Sequence, residues 1–308
     1  MKEHDIEPGS KSSAASYSPA GFMGRLCRGF ARANKRYGAE WWILIAGALI
    51  ILFVVYLAVF PRTLAPYDPL DQEAGPQLSP PTAANPLGTD NLQRDVLSRI
   101  IHGSRTILGV AFTAALLSSL VGIPLGLLSG FIGGIIDKLL SLIMDSLYSF
   151  PGLILAIAFA AMLGPGVINI TLAVAVIYIP TYFRLVRAQT LSMKEEVYVE
   201  AARAIGARRG TIMWKYIFPN VIATVVVVFS LNIADAIMTE AALSYIGLGL
   251  PAGIPDWGMD LSMGKKFLPS GVWWMITFPG MMIMFLALGF TMLGEGLAEI
   301  LNPRLLER

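Results

Sequence analysis

The sequence is poor in cysteine, histidine and charge. Cys27 is the only cysteine among the 308 residues, which excludes an intrachain disulfide and a cysteine-ligated metal cluster. The two histidines, His4 and His102, cannot form an HExxH zinc motif. Charged residues make up 14% of the chain and hydrophobic residues 55%, whereas soluble domains carry about 25% charge. Too few polar side chains are left to cover a soluble globule, so this class is excluded.

Two further absences limit the function. The chain has no G-x4-G-K-[S/T] phosphate loop. The segment from Gly258 to Gly264, followed by Lys265-Lys266, is similar, but it has five residues between the glycines where the motif has four. It therefore cannot hydrolyse ATP on its own. An intramembrane protease would need a nucleophile and base, or metal ligands, within apolar segments, and His102 lies outside them. The net charge of +2 is too small to indicate nucleic-acid binding. We expect a protein that is neither an enzyme nor a nucleic-acid binder, with no metal site.

Long apolar segments are what the sequence does contain. About 20 apolar residues span a bilayer, and six stretches are long enough. The sequence predicts an all-α membrane protein with six transmembrane helices, at about 41–60, 107–131, 139–163, 167–186, 221–246 and 272–293. Tryptophans at the ends of two segments are typical of interfacial anchors, namely Trp41-Trp42 and Trp273-Trp274.

The remaining segments complete the predicted organisation. Residues 1–20 are polar and are expected to form a disordered cytoplasmic tail, and 21–40 a basic amphipathic helix at the membrane surface. Residues 61–106 are predicted to form an extracytoplasmic loop and an elbow helix. Residues 107–301 hold the other five spans and a cytoplasmic loop at 187–220, and 302–308 form a second tail. Cytoplasmic segments of membrane proteins are enriched in Lys and Arg. If both termini are cytoplasmic, 17 of these basic residues lie on the cytoplasmic side and six on the outside, so we expect this orientation.

The elbow helix has its own predicted boundaries. Asp90 is placed to cap its start, with Gln93 three residues later to complete a capping box. Asp95 and Arg99 are spaced to form an ion pair one turn apart, and Gly103 is placed to end the helix.

The cytoplasmic loop at 187–220, which we call the coupling loop, carries a more specific pattern. We expect a helix at about 192–205 that ends at Gly206, followed by a short helix that ends at Pro219. Ala201, Ala202 and Gly206 leave its surface free of bulk, so another protein could approach closely. Polar contacts around this surface could come from Glu200, Arg203, Arg208 and Arg209. The alternative is an ordinary amphipathic helix that rests on the membrane.

The order of these residues resembles a known motif. Glu200-Ala201-Ala202, three residues, Gly206 and then nine residues to Tyr216-Ile217-Phe218-Pro219 is similar to the EAA motif of ABC importer permeases. The resemblance implies the type I importer permease fold. It also implies that Glu200, Ala201, Ala202, Arg203, Gly206, Arg208 and Pro219 couple the chain to an ATPase.

Further segments narrow the resemblance to the dipeptide/oligopeptide/nickel permeases, and to the second, "C"-type, permease of the pair. Its extracytoplasmic signature is matched by Gly88, Thr89, Asp90, Arg94, Asp95 and Arg99. Other matches, also read as family-like, include Met144-Asp145, Phe150-Pro151, the segment from Glu240 to Gly249, and Trp257-Gly258. Together the matches cover about 61–304.

The resemblance implies a transport complex in the inner membrane of a prokaryotic cell. The expected partners are a homologous second permease, two ATPase subunits, an extracytoplasmic binding protein and membrane lipid. The chain itself would hold no cofactor, because ATP and Mg²⁺ belong to the ATPases. Peptides are the first expectation for the cargo, with nickel or another small solute as alternatives. An ion-coupled secondary transporter is the other class considered, and it would need no ATPase-docking helix.

Three carboxylates fall within or beside predicted spans, where charge is costly and often functional. These are Asp145, Asp235 and Glu240. Each could line the transport pathway or act as a buried structural partner. The structural role is favoured for Asp145 and Glu240, which belong to family-like motifs. Asp235 lies outside those motifs, and both roles stay open for it.

Overall fold

A computed structural model describes residues 39–251 and 253–301 of the protein. Within these ranges the chain is helical and forms no strand beyond an isolated bridge between Thr89 and Asp95. The all-α prediction is thus confirmed for this part of the chain. The predicted tails at 1–20 and 302–308, and all but the end of the surface helix at 21–40, lie outside the described residues.

The helices follow the predicted apolar segments closely. In chain order they are α1 (Ala39–Val59), α2 (Pro61–Leu64), α3 (Val96–Ile132), α4 (Gly134–Tyr148), α5 (Gly152–Leu163), α6 (Val167–Met193), α7 (Val197–Ala204), α8 (Arg209–Thr211), α9 (Phe218–Ile246), α10 (Trp257–Lys265) and α11 (Trp274–Leu301). Five helical segments in the described residues are long and apolar enough to cross a membrane; they contain α1, α3, α6, α9 and α11.

The third predicted span, 139–163, is not one straight helix. It consists of α4 and α5, which meet at an angle of 89°. The break falls at Phe150-Pro151-Gly152, where Pro151 lacks an N–H and disfavours helical geometry at Phe150. The number of spans is therefore six if this bent pair counts as one.

The predicted elbow helix and second span are one continuous helix, which corrects two predicted boundaries. The 37 residues of α3 extend over about 55 Å, longer than a bilayer core of about 30 Å. Gly103 does not end a helix, because α3 continues through it. A Cβ atom at Gly103 would lie 2.8 Å from Trp257, so glycine at this position makes room for the indole.

Close packing between α3 and α6 forms the centre of the bundle. Gly122, Gly126 and Gly130 lie one turn apart on α3 and face α6. A Cβ atom at these positions would come within 2.7–2.9 Å of carbonyl oxygens of α6. Small residues at this spacing let two membrane helices approach each other closely. The outer helix α1 packs mainly against α11.

The coupling loop differs from its prediction in the extent of its helices. The predicted helix at 192–205 is shorter, because α6 continues to Met193 and α7 begins only at Val197. The predicted second helix does not end at Pro219. After α8 a π-helical turn, Ile212–Ile217, runs directly into α9. Pro219 is the second residue of α9 and lies inside this continuous helical segment.

Candidate functional site

The end of α7 has the geometry of a capped helix. The N–H of Gly206 donates to the carbonyl of Arg203, and the N–H of Ala207 donates to the carbonyl of Ala202, each at 3.0 Å. These two bonds form a Schellman motif, in which the residue after the helix adopts a left-handed conformation. Gly206 has φ +81°. The predicted helix stop at Gly206 is therefore confirmed.

The short helix α7 has one buried and one exposed face. Val199 and Ala202 are buried in an apolar cluster with Ile212 and Ile217 of the π-helical turn. The same cluster includes side chains of three spans, namely Leu127, Val186, Val221 and Val225. A displacement of α7 would therefore act on α3, α6 and α9 together.

The exposed face of α7 combines charge with unusually exposed apolar side chains. Val197 and Ile205, at its two ends, are 77% and 82% exposed. Between them lie the exposed residues Glu200, Ala201 and Arg203, and Arg208 follows the helix. A contiguous surface of this kind, with apolar residues beside charged ones, is typical of a protein interface.

The extracytoplasmic signature forms a second compact region, which we call the outer cap; it comprises residues 85–104 and 256–275. Asp90 does not cap a helix. Its Oδ1 accepts the backbone N–H groups of Leu92 and Arg94, and its Oδ2 accepts the Nε–H of Arg94 at 2.6 Å. Gln93, its predicted partner in a capping box, has φ +63° and lies in the turn before α3.

The helix cap is Asp95, five residues later than predicted. Its Oδ2 accepts the N–H and the hydroxyl of Ser98, each at 2.7 Å, and its Oδ1 accepts the amide of Asn85 at 3.0 Å. The predicted pair of Asp95 with Arg99 is wrong. Arg99 instead donates its Nε–H to Asp260 of α10 at 2.9 Å, and both side chains are largely buried.

Two buried tryptophans join the halves of the outer cap. The indole N–H of Trp257 donates to the carbonyl of Ile100, and that of Trp274 donates to the carbonyl of Thr89, each at 3.0 Å. Gly88, at φ +80°, lies against Trp274, and a Cβ there would lie 2.7 Å from the ring. The prediction that Trp274 anchors the membrane interface is therefore wrong, because Trp274 is buried.

The three candidate carboxylates lie in different environments. Asp145 is exposed rather than buried and accepts Nη2–H of Arg184 at 2.7 Å, whose guanidinium lies 3.9 Å from the ring centre of Tyr148. Glu240 is fully buried and accepts the hydroxyl of Ser244 at 3.3 Å. Asp235 is exposed and makes no ion pair or side-chain hydrogen bond with the described residues.

Asp235 lies in a polar cavity of about 510 Å³. Its walls include Phe150, Pro151 and Gly152 at the break of the third span. The polar side chains in its lining are Tyr148, Tyr178, Thr181, Asn232, Asp235 and Thr239. Asp235 is 11 residues before the end of α9, about 16 Å along the helix, so it lies in the interior of this candidate membrane span and not at its end.

Two charged residues that sequence reasoning missed, Asp256 and Arg187, make hydrogen bonds near opposite ends of the bundle. Asp256 caps α10 by accepting the N–H groups of Gly258 and Met259, and it lies beside Glu240. Burial raises the pKa of Asp256 above its ordinary value. Near the other end, Asp137 accepts Nη2–H of Arg187 at 2.8 Å. The cap at Asp256 could have been predicted from the sequence, because an aspartate directly before a helix is a local signal. The pair of Arg187 with Asp137 could not, because the two residues are 50 positions apart.

Known proteins share this sequence over most of its length. Residues 122–307 match the family described as binding-protein-dependent transport system inner membrane component. The dipeptide transport system permease protein DppC of Alkalihalophilus pseudofirmus is 38% identical, over 85% of this chain and 86% of its own. The di/tripeptide permease DppC of Pseudomonas aeruginosa and the glutathione permease GsiD of Pectobacterium atrosepticum are each 37% identical, over 85% of this chain and 88% and 87% of their own.

These matches include both the coupling loop and the cavity, and they confirm the resemblance to importer permeases. Together with the long apolar helices they identify a multi-pass protein of the inner membrane. The chain belongs to the family of binding-protein-dependent transport system inner membrane components.

Proposed function

We propose that the chain is one of two permease subunits of an ATP-driven ABC importer for peptides. A homologous second permease would complete the pathway, and an extracytoplasmic binding protein would deliver the cargo. Two ATPase subunits would hold ATP and Mg²⁺, since this chain has no phosphate loop. The similar permeases named for dipeptides, di/tripeptides and glutathione support a peptide cargo over nickel or another small solute.

The geometry of α7 is the observation that carries this proposal. One face of α7 is buried in a cluster shared by three spans, and the other presents Val197, Glu200 and Ile205 to a partner. An ATPase that binds this face and closes on ATP would move the spans through the apolar cluster. The transporter would then shift between inward-facing and outward-facing states, because the ATPases favour one of them by their contacts. A secondary transporter has no need of such a surface.

We further propose that both termini, and the coupling loop, lie in the cytoplasm. The excess of Lys and Arg on that side supports this orientation. A cysteine at Gln77 should react in intact cells with a thiol reagent that cannot cross the membrane, and a cysteine at Lys194 should not. The opposite labelling would overturn the orientation and the assignment of the ATPase-docking side.

Gly206→Val tests the coupling role directly. The variant forces a β-branched residue into φ +81°, which costs about 1–3 kcal/mol in backbone strain and distorts the end of α7. Apart from the two chain neighbours, no atom lies within 4 Å of the added Cβ, so the Cβ itself meets no residue of the spans. We expect a normal amount of the complex in the membrane, loss of peptide uptake and reduced ATPase stimulation by the loaded binding protein.

Gly210→Val is the matched control. Gly210 is also in the coupling loop and has open space around it, but it lies in the helical turn α8 without a positive φ. We expect this variant to transport normally. Normal uptake by Gly206→Val, with uptake by the unmodified complex established, would refute the coupling assignment and favour an ion-coupled carrier.

A further inference from the structure

Asp235 is a carboxylate in the middle of a membrane span with no partner among the described residues. It lies on α9 between the buried residues Ala234 and Ala236, yet its own side chain is exposed. A charged carboxylate cannot face hydrocarbon without a large cost, so such residues face a water-filled cavity or another protein chain. Asp235 lines the polar cavity at the break of the third span, which supplies that environment.

The rest of the cavity lining is polar but uncharged. The hydroxyls of Tyr178 and Thr239 are hydrogen-bonded to each other at 2.9 Å, so one of the two O–H groups is already used as a donor. Thr181 and Asn232 add further neutral groups, and no Lys or Arg is part of the lining. Asp235 therefore gives the cavity a single negative charge, which attracts a cation.

The chemistry of the cavity favours an organic cation over a metal ion. A tightly held Ca²⁺ or Mg²⁺ needs six or more oxygen ligands, often with several carboxylates. The described residues contain no group of three or more His, Cys, Asp or Glu side chains that could hold a metal. A volume of about 510 Å³ lies in the range of pockets that enclose small organic ligands. Apolar walls from Phe150, Leu153 and Ile177 would accept side chains of varied shape.

We propose that Asp235 binds the N-terminal ammonium group of a peptide in transit. This inference rests on the proposed function and adds the chemical group that the pathway recognises. A charge-assisted hydrogen bond from an ammonium to a carboxylate is short and strong, and partial exclusion of water strengthens it. Recognition of the ammonium alone is compatible with cargo of variable side chains, because every linear peptide with a free α-amino group carries it.

The test uses the full complex with its binding protein in proteoliposomes, supplied with ATP and a mixture of glycyl-leucine, dialanine and glutathione. Imported peptide is quantified by mass spectrometry and divided by the ATP hydrolysed. We expect Asp235→Asn, which keeps the shape but removes the charge, to lower this ratio at least tenfold. Asp235→Glu should recover at least a third of the original ratio. An unchanged ratio in Asp235→Asn would overturn the inference, whereas no import by the unmodified complex would overturn the proposed function instead.

A second measurement separates charge from structural damage. In a chain with Cys27→Ser, Asp235→Cys can be modified with methanethiosulfonates that add either a sulfonate or a trimethylammonium group of similar size. We expect the sulfonate to restore uptake at least threefold relative to the trimethylammonium adduct. Equal uptake by the two adducts would show that the charge at this position is irrelevant, and would overturn the inference even if Asp235→Asn is inactive.

Discussion

The outer cap and the exposed face of α7 in the coupling loop use charged residues in opposite ways. In the outer cap, Arg94 and Arg99 are buried and each is paired with an aspartate, and two indoles donate to backbone carbonyls. In the coupling loop, Glu200, Arg203 and Arg208 are exposed and form no ion pair with the described residues. Buried pairs fix one arrangement of the chain, since breaking one leaves an uncompensated charge. Exposed, unpaired charges are available to a partner protein.

The largest effect on stability should come from breaking the buried pair. Arg99→Ala removes the partner of Asp260, which is then left charged in a buried site. Removal of one member of a buried pair costs about 3–5 kcal/mol. We expect a large fall in the melting temperature of the purified complex in detergent, accompanied by loss of assembled complex from the membrane.

Arg184→Ala is the control for that prediction. Its pair with Asp145 is also between two helices, but the two side chains are 43% and 56% exposed. Exposed pairs contribute about 0–1 kcal/mol because both charges stay solvated when separated. The distinction between buried and exposed pairs fails if Arg184→Ala destabilises the complex as much as Arg99→Ala does.

The two regions also differ in how well the sequence predicted them. The hydrogen bonds that end α7 join residues within 202–207, so the helix end could be predicted from Gly206 and its neighbours in the sequence. The outer cap depends on contacts between distant positions, since Arg99 and Asp260 are 161 residues apart. Rules that use only neighbouring residues predicted an ion pair between Arg99 and Asp95, four residues apart, and predicted a helix end at Gly103. Both predictions were wrong. Neither rule can detect that Trp257 lies against Gly103.

The spans themselves were predicted because length and hydropathy determine them, apart from the break at Pro151. Proline alone does not break a membrane helix here, since Pro124, Pro180 and Pro279 lie inside continuous helices. At the break Pro151 is followed by Gly152, but the same Phe-Pro-Gly order occurs at 278–280 inside the continuous helix α11, so the local sequence does not account for the break. The environment of Asp235 could not be predicted, because the cavity forms from three segments that are distant in sequence.

A smaller effect is expected from Asp256, whose buried carboxyl has a pKa above its ordinary value of about 3.8. A raised pKa means that folding favours the protonated form. The stabilising contribution is complete below about pH 4 and is lost as the pH rises through the raised pKa. Asp256→Asn stays neutral and can still cap α10 with its side-chain oxygen.

We therefore expect the melting temperature of Asp256→Asn to depend less on pH above pH 4 than that of the unmodified complex. The two curves should diverge progressively as the pH rises. Thermal unfolding followed by intrinsic fluorescence at several pH values measures the difference. Parallel curves would mean that Asp256 does not titrate in the outer cap.

The smallest effect on stability should come from Glu200→Ala in the coupling loop. Glu200 is exposed on α7 and its carboxylate makes no hydrogen bond or ion pair with the described residues, while alanine is the better helix former. The melting temperature should therefore stay within about 1 °C of the unmodified value, since such surface changes alter stability by about 0.5 kcal/mol or less. Peptide uptake should fall nonetheless, though less than in Gly206→Val, because contacts to the ATPase are lost without distortion of the helix. Full uptake at unchanged stability would remove Glu200 from the ATPase contact and leave Val197 and Ile205 as the residues to test. A large fall in stability would contradict the view that the charges on the exposed face of α7 are kept free for a partner.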